Sequence, residues 1–466
     1  MIFTMRQIKR TSFFVLLLSL GALSGCAARG AGFQSMQTLL QQRAGLAPPW
    51  RQLTGDAAPD ERAAELLAGP VGAEEAVQIA LLKNADLQAR FEELGIARGQ
   101  LVDASRPGNI AIDGDLESSR GRRSDFDLTA TTDLTRLLFL PLRRGVATAA
   151  LDATRVETAG DTLAFAHAVR NAFYEYQAAD QMLELDQTVL EAATASYAVA
   201  QRLYEAGNIT ALELSNERAF YEQARSEATL AEAAALGRRE ELNARMGISG
   251  AETAWKLAGR LGEPVPESEL PAVDVLEVRA IENSLDLLGL DHRYTESARR
   301  ANLARAEGLL PSLRAGAQVG RDENQRHTGP VVSVELPLFN QGQGRVEEAR
   351  AEMRQVEQQY RARAVRIRAA VRTARTDLLI ATRRVEHYRT VMLPLWEEII
   401  GQTQRQYNAM QAGVFQLLLA RREQVRNGQD YVMALRNYWR ARSRFDQILA
   451  GRLVSISDAI EMPEWR

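Results

Sequence analysis

Cysteine occurs once, at Cys26, in a chain of 466 residues, so no disulfide within the chain can staple the fold. Histidine is scarce as well. His167, His292, His327 and His387 stand in none of the short spacings a metal site uses. Aromatic residues make up 6% of the chain, and much of its 46% hydrophobic content is alanine in helical stretches; that composition fits long, thin helical packing better than a thick core. Charge of one sign is not in excess. The 57 basic and 60 acidic residues leave a formal charge of −3, which excludes a polycationic footprint for nucleic acid and an acidic tail. No nucleophile motif or convergent carboxylate pair stands out, and Gly342-Gln343-Gly344 lacks the following Lys-Ser/Thr of a phosphate loop. The sequence therefore argues for no catalytic centre, no cofactor and no metal.

The N-terminus reads as an export signal. Arg6, Lys9 and Arg10 precede an apolar run from Ser12 to Leu20, which is too short to span a bilayer as a helix. Leu23-Ser24-Gly25-Cys26 follows at cleavage distance and resembles the bacterial lipobox, whose cysteine becomes the lipidated first residue. Ala27 stands where an aspartate often signals inner-membrane retention. The implied address is the outer membrane of a Gram-negative cell.

Residues 26–71, with Pro48-Pro49-Trp50 and Ala58-Pro59, read as an irregular, extended arm. Glu74 to Ser105 reads as a helix. Ile110, Ile112, Phe126, Leu128, Ala130 and Thr132 then alternate with Asp127, Thr129, Thr131 and Asp133, which is strand periodicity around a polar turn at 118–124 containing Arg120, Arg122 and Arg123. Leu142 to about Glu205 contains no proline, and a helix of that span is about 95 Å long. Within it Leu185, Val189, Ala192, Ser196, Val199 and Leu203 keep a coiled-coil rhythm. A further helix is expected from Ala211 to about Met246, capped by Thr210 and ended by Gly247.

After a proline-rich linker the cycle restarts. A helix is expected over 276–308, then strands in which Leu313, Ala315, Ala317 and Val319 alternate and Val332, Val334 and Leu336 alternate back, with Arg321 to Pro330 as a polar turn. From Gln343 to about Gln411 a second very long helix carries Ile367, Val371, Ala374, Leu378, Ala381, Val385, Tyr388, Met392 and Leu395 in one seam, and Pro394 should kink it. Leu417 to about Leu449 closes the series. The punctuation repeats at about two hundred residues. Asn84-Ala85-Asp86-Leu87 returns as Asn283-Ser284-Leu285, Pro107 as Pro311, Leu140-Pro141-Leu142 as Leu336-Pro337-Leu338, and Ala206-Gly207 as Ala412-Gly413.

Several stretches carry a family resemblance: Glu75-Ala76-Val77 through Leu87, Tyr204 through Leu214, Leu336-Pro337-Leu338-Phe339-Asn340-Gln341-Gly342, and Leu393-Pro394 followed by Tyr407 through Gly413. In this joint order, with the duplication and the lipobox, they resemble the TolC-type outer-membrane efflux factors, lipoprotein subclass, over nearly the whole mature chain. The resemblance implies a mainly α fold with a small β part. It is a duplicated helix-strand-strand-helix-helix unit whose long helices build a trimeric α-barrel beneath a shared twelve-stranded β-barrel. It divides the chain into a signal peptide (1–25), a lipidated arm (26–71), a first repeat (72–262, strands about 109–136, tip near 207), a linker (263–272), a second repeat (273–450, strands about 312–337, tip near 413) and a tail (451–466). The implied partners are two further copies, a periplasmic adaptor, an inner-membrane pump and outer-membrane lipid through Cys26.

Physical reasoning supports the need for copies, because four strands cannot close a barrel and open edges in lipid leave backbone groups unsatisfied. The candidate sites are Cys26 for lipidation and Gly207 and Gly413 at the helix tips, each expected at positive φ, where the resemblance implies contact with the periplasmic adaptor. Some family members place acidic residues six and nine positions after the second-repeat glycine. Leu419 and Arg422 stand there in this chain, and counting from Gly207 in the same way reaches Glu213 and Asn216. Glu213, Leu419 and Arg422 are thus candidates for the tunnel entrance. Girdle aromatics are sparse, with Phe126, Phe139 and Phe339 as the main candidates. The function read from this pattern is a passive export duct. The competing reading is a periplasmic coiled-coil lipoprotein that forms no channel, and an exported enzyme would need a polar pocket the sequence does not show.

Overall fold

The computed structural model describes residues 32–50, 58–117, 125–266, 270–322 and 325–454. Cys26 and Arg120, Arg122 and Arg123 lie outside them. The N-terminal arm is not irregular where it is described. It holds helices α1 (Phe33–Ala44) and α2 (Ala58–Ala68), and Met36 and Leu40 of α1 are fully buried. The i, i+4 pair gives α1 a narrow apolar stripe that the neighbouring prolines obscure in the sequence.

In each repeat the first expected helix is broken in two. Asn84 separates α3 (Ala73–Lys83) from α4 (Ala85–Ala104), and its side chain accepts the Leu87 N–H at 2.9 Å. Ser284 stands likewise between α8 (Val273–Asn283) and α9 (Leu285–Leu309) and accepts the Leu287 N–H at 3.1 Å. Each is a capping residue at extended φ and ψ that starts a new helix where the apolar pattern runs on.

Between these pairs and the long helices lies one four-stranded antiparallel sheet: β2 (Ile110–Glu117), β3 (Asp125–Asp133), β5 (Ser312–Asp322) and β6 (Gln325–Glu335), in that spatial order. A second, minor pairing joins β1 (Pro70–Val71) in parallel to β4 (Lys256–Leu257). The stretch Arg321–Pro330, expected as a turn, is mostly strand, since β5 and β6 pair up to Asp322 and Gln325. After β3 comes the short α5 (Leu134–Leu138), then α6 (Leu140–Glu205), whose 66 residues span about 99 Å. Helix α7 (Ala211–Met246) returns along it to Gly247, at φ 72. A Cβ there would lie 2.8 Å from the Asn84 backbone, so the close approach of α7 to the α3–α4 joint requires glycine.

In the second repeat, α10 (Gln343–His387) runs into a π-helical segment, Tyr388–Met392, and then α11 (Leu393–Asn408), with α12 (Val414–Leu449) returning. Proline in the first turn of α11 cannot donate a hydrogen bond, and the π turn ahead of it takes up one extra residue. The seam shifts accordingly. Ile367, Val371, Ala374, Leu378, Ala381 and Val385 are buried as expected, but beyond the π segment Leu395 is 45% exposed and Ile400 only 6%. The α6 seam also differs from the expected one. Ala193 and Ala200 are buried, whereas Ala192 and Val199 are exposed. Ser196 of this helix donates to the buried carboxylate of Glu217 on α7.

Side by side the long helices form a curtain in the order α7, α6, α12, α10/α11, and α4 and α9 pack against its sheet-proximal part. The two hydrophobic clusters lie on either side of α6, one with α1, α3 and α4, the other with α8, α10 and α12. The Leu-Pro-Leu echo does not survive as an equivalence: Leu140-Pro141-Leu142 opens α6, while Leu336-Pro337-Leu338 precedes the loop into α10.

Candidate functional site

The sheet has two chemically different faces, set by strand alternation and register. Ile110, Ile112 and Leu116 of β2 lie on the same face as Phe126, Leu128 and Ala130 of β3 through the pairs Ile112↔Ala130 and Leu116↔Phe126. Leu128↔Val319 and Ala315↔Val332 extend that face over β5 and β6. It is apolar and uncovered, with Leu116 82% and Ile110 69% exposed. On the opposite face stand Asp113, Asp115, Asp127 and Asp133 of the first strand pair, with Arg314, Gln318 and His327 of the second.

One contact crosses that polar face. His327 Nε2 lies 2.8 Å from Asp127 Oδ1, reaching over β5 at Gly320, which pairs with both residues. A Cβ on Gly320 would fall 1.9 Å from that carboxylate oxygen and 2.4 Å from the imidazole, so the crossing exists because residue 320 has no side chain. Gly316 is equally constrained, with a Cβ position 1.9 Å from the Ala130 carbonyl oxygen. Among the described residues, both outer strands, β2 and β6, have one unpaired edge. At the base of the sheet a collar of apolar side chains is also uncovered: Leu137, Leu138, Leu309, Leu336, Leu338 and Phe339, the last 94% exposed.

At the far end of the helices are two tight turns. In the first, Gly207 takes φ 75, the Gly207 N–H bonds the Tyr204 carbonyl, and the Asn208 N–H bonds the Leu203 carbonyl at 2.8 Å. Thr210 then caps α7. In the second turn the left-handed residue is Met410, at φ 57; its N–H bonds the Tyr407 carbonyl, and the Gln411 N–H bonds the Gln406 carbonyl at 2.8 Å. Gly413 sits at φ −76 and ψ 158, as the residue that precedes α12. The expected positive φ at Gly413 is therefore wrong. The residue matching Gly207 is Met410, and Gly413 matches Thr210.

The same displacement changes the entrance candidates. Leu419 corresponds to Asn216 and Arg422 to Ala219, while Glu213 corresponds to Gln416. Glu213 belongs to a capping box: its carboxylate accepts the Thr210 N–H at 2.7 Å and the Thr210 hydroxyl at 2.9 Å, which holds its pKa below the usual value. Leu419 is 58% exposed. Arg422 lies over the Phe220 ring of α7 at 5.6 Å and so ties α12 to α7 near the tips. Phe220 carried no sequence signal of its own. Above that contact a groove of about 580 Å³ runs between α7 and α12 over α6, with Phe220, Met182, Val189, Leu230 and Met433 among its apolar lining and Arg426 and Glu227 among its charges.

Among the described residues no group of three or more potential ligands could hold a metal ion, and no helix is long and apolar enough to cross a membrane. His167 is buried in α6 against Ser443, its Nδ1 3.2 Å from the hydroxyl, and burial pushes its pKa down to about 3.

Comparison with known proteins places these features. The chain is 25% identical over 399 residues to the cobalt-zinc-cadmium resistance protein CzcC of Cupriavidus metallidurans, a match covering 82% of this chain and 90% of the relative. Its fold is similar to that of a membrane protein from Pseudomonas aeruginosa (TM-score 0.68, 19% identity, 81% of this chain and 93% of that one). It is also similar to the CmeC outer membrane channel of Campylobacter jejuni (TM-score 0.68, 13% identity, 90% and 94%). The open state of the MtrE outer membrane channel of Neisseria gonorrhoeae superposes with a TM-score of 0.66 at 16% identity, covering 82% and 89%. A family model described as outer membrane efflux protein matches residues 77–248 and 276–451, and the chain belongs to that family.

Proposed function

We propose that this protein is the outer-membrane duct of a tripartite efflux system, a passive conduit built from three copies that receives cargo from an inner-membrane pump through a periplasmic adaptor. The observation that carries the reading is the two-faced sheet with two open edges. An apolar face of this extent is stable in hydrocarbon, a face of carboxylates and amides is stable against water, and edges inside a membrane must be paired. Three copies joined β2 to β6 give twelve strands, apolar outward and polar inward. The helical curtain has the same incompleteness, with α7 and α10/α11 as free borders carrying exposed Leu236, Val365 and Ile380. Three curtains joined at those borders enclose a tunnel below the barrel.

In this reading Cys26 carries lipid, the turns at Gly207 and at Met410 to Gly413 are the periplasmic tips that meet the adaptor, and Leu419 and Arg422 lie at the tunnel entrance. Glu213 serves there as a helix cap. The chain performs no chemistry on its cargo. By likeness to the cobalt-zinc-cadmium relative, the reading extends to divalent cations as cargo, and Asp113, Asp115 and Asp127 on the inward face give the exit a matching sign. The protein purified in detergent is expected to be trimeric by light scattering. A cysteine pair placed on β2 and β6 is expected to trap a covalent trimer on oxidation. A monodisperse monomer would sink the proposal and favour the tethered coiled-coil alternative.

A further inference from the structure

We propose that a cationic pocket between α4 and α6, just below the sheet, binds the phosphodiester headgroup of an anionic phospholipid from the periplasmic leaflet. This rests on the reading of the strands as membrane-embedded. The cavity measures about 400 Å³, and its lining includes Arg98, Arg106, Arg144 and Arg155, with Leu101 and Leu151 beside them. Of the four guanidinium groups, Arg155 is paired with Asp152. Among the described residues no carboxylate pairs with Arg98, Arg106 or Arg144, and Arg98 Nη1 is buried without a hydrogen-bond partner. A buried guanidinium nitrogen left unsatisfied is costly, and the exposed Arg106 and Arg144 converge with Arg98 on one space, a set matched by a phosphate that accepts from each of them.

The height of the pocket identifies the source of that phosphate. Arg106 stands between the end of α4 and the start of β2, and Arg144 is in the first turns of α6, two residues past Leu142. The exposed collar of Leu137, Leu138, Leu338 and Phe339 marks the edge of the hydrocarbon just above them. Arg106 and Arg144 thus lie at headgroup depth, with Arg98 less than two turns below the end of α4, and each basic side chain there adds attraction for anionic lipid. Gly32 packs against Arg155 at this corner and is six residues from Cys26, so a lipid on Cys26 would hold the corner within about 20 Å of the membrane. Leu101 and Leu151 offer the glycerol and upper acyl carbons an apolar wall.

The test is native mass spectrometry of the detergent-solubilised trimer after exposure to micelles containing phosphatidylglycerol, comparing wild type with Arg98→Gln/Arg144→Gln. Wild type is expected to retain phosphatidylglycerol, and the double variant to bind it about tenfold or more weakly, since each basic group contributes about 1 kcal/mol. Millimolar inorganic phosphate should not displace the lipid. Equal lipid retention by the variant would overturn the proposal. Full displacement by inorganic phosphate would also overturn it, by assigning the pocket to free phosphate. Ion conductance is recorded on the same preparations: a wild type that binds lipid but does not conduct defeats the duct reading, whereas a conducting trimer without lipid defeats only the pocket.

Discussion

Gly207 and Met410 hold the same backbone position in two equivalent turns, both left-handed and each bonded to the carbonyl of a tyrosine three residues back, Tyr204 and Tyr407. A methionine in that conformation carries strain of about 1 kcal/mol that glycine does not. Met410→Gly is therefore expected to stabilise the second turn by up to about 1 kcal/mol, and Gly207→Val to weaken the first by more than that. Gly413→Val should leave the turn intact, because φ there is negative and an added Cβ meets nothing within 4 Å. Hydrogen-exchange protection at the two tips reads all three effects, and loss of protection in Gly413→Val alone would contradict the assignment.

The crossing of His327 to Asp127 over Gly320 yields a second expectation. Gly320→Val places a side chain where the carboxylate and imidazole already lie, so the strands must separate or the pair must break. The trimer proposed for this chain should be lost on gel electrophoresis or its thermal transition lowered by several degrees, since about 1 kcal/mol already moves a domain's midpoint by degrees. His327→Gln, which removes the contact but not the space, should keep the trimer. The reverse order of severity would show that the close approach is unimportant.

Much of this architecture was legible in sequence, and the misreadings have physical causes. Strand alternation around Ile112 and Leu128 fixes the two faces directly, and Thr210 and Gly247 mark the ends of α7, although the part Glu213 plays in the cap is visible only in the structure. The equivalence of the tips was not legible, because Gly413 sits three residues from Met410 and draws the alignment to itself. At the α6 seam, Ala192 and Ala193 are both small and apolar, so the rhythm alone does not choose between them. The π segment leaves no compositional trace, since Tyr388, Met392 and Leu395 look like a continuing seam until burial moves to Ile400. The arginine pocket joins α4 to α6 across 46 positions from Arg98 to Arg144, and no local pattern announces it.

Helix starts in the duplicated unit are expected to respond alike. Asn84→Ala and Ser284→Ala each remove the side-chain acceptor for one orphan N–H, at a cost of about 1 kcal/mol. Leu378→Ala, in the buried α10 seam, should cost about 2–5 kcal/mol through the cavity it leaves. Thermal denaturation monitored by circular dichroism separates the two classes, and comparable losses for caps and core would argue against the described packing.

Acid should destabilise the fold through His167. Its folded pKa is about 3 because burial disfavours the charged form, against about 6.5 in the unfolded chain. Between those values the unfolded state holds one more proton, so this contribution to stability rises with pH through the window and falls as pH drops from about 6.5 towards 3, by about 1.4 kcal/mol per unit. His167→Gln should flatten that slope by one proton in denaturant titrations at pH 4–6.5. An unchanged slope would place the proton elsewhere.

Ion conduction bears most directly on the central claim that three copies enclose a continuous passage. Purified protein added to a planar lipid bilayer is expected to give discrete, uniform current steps whose reversal potential in a salt gradient favours cations, as the carboxylates of the inward sheet face require. Complete absence of such steps, from trimers shown to have inserted, would contradict the account.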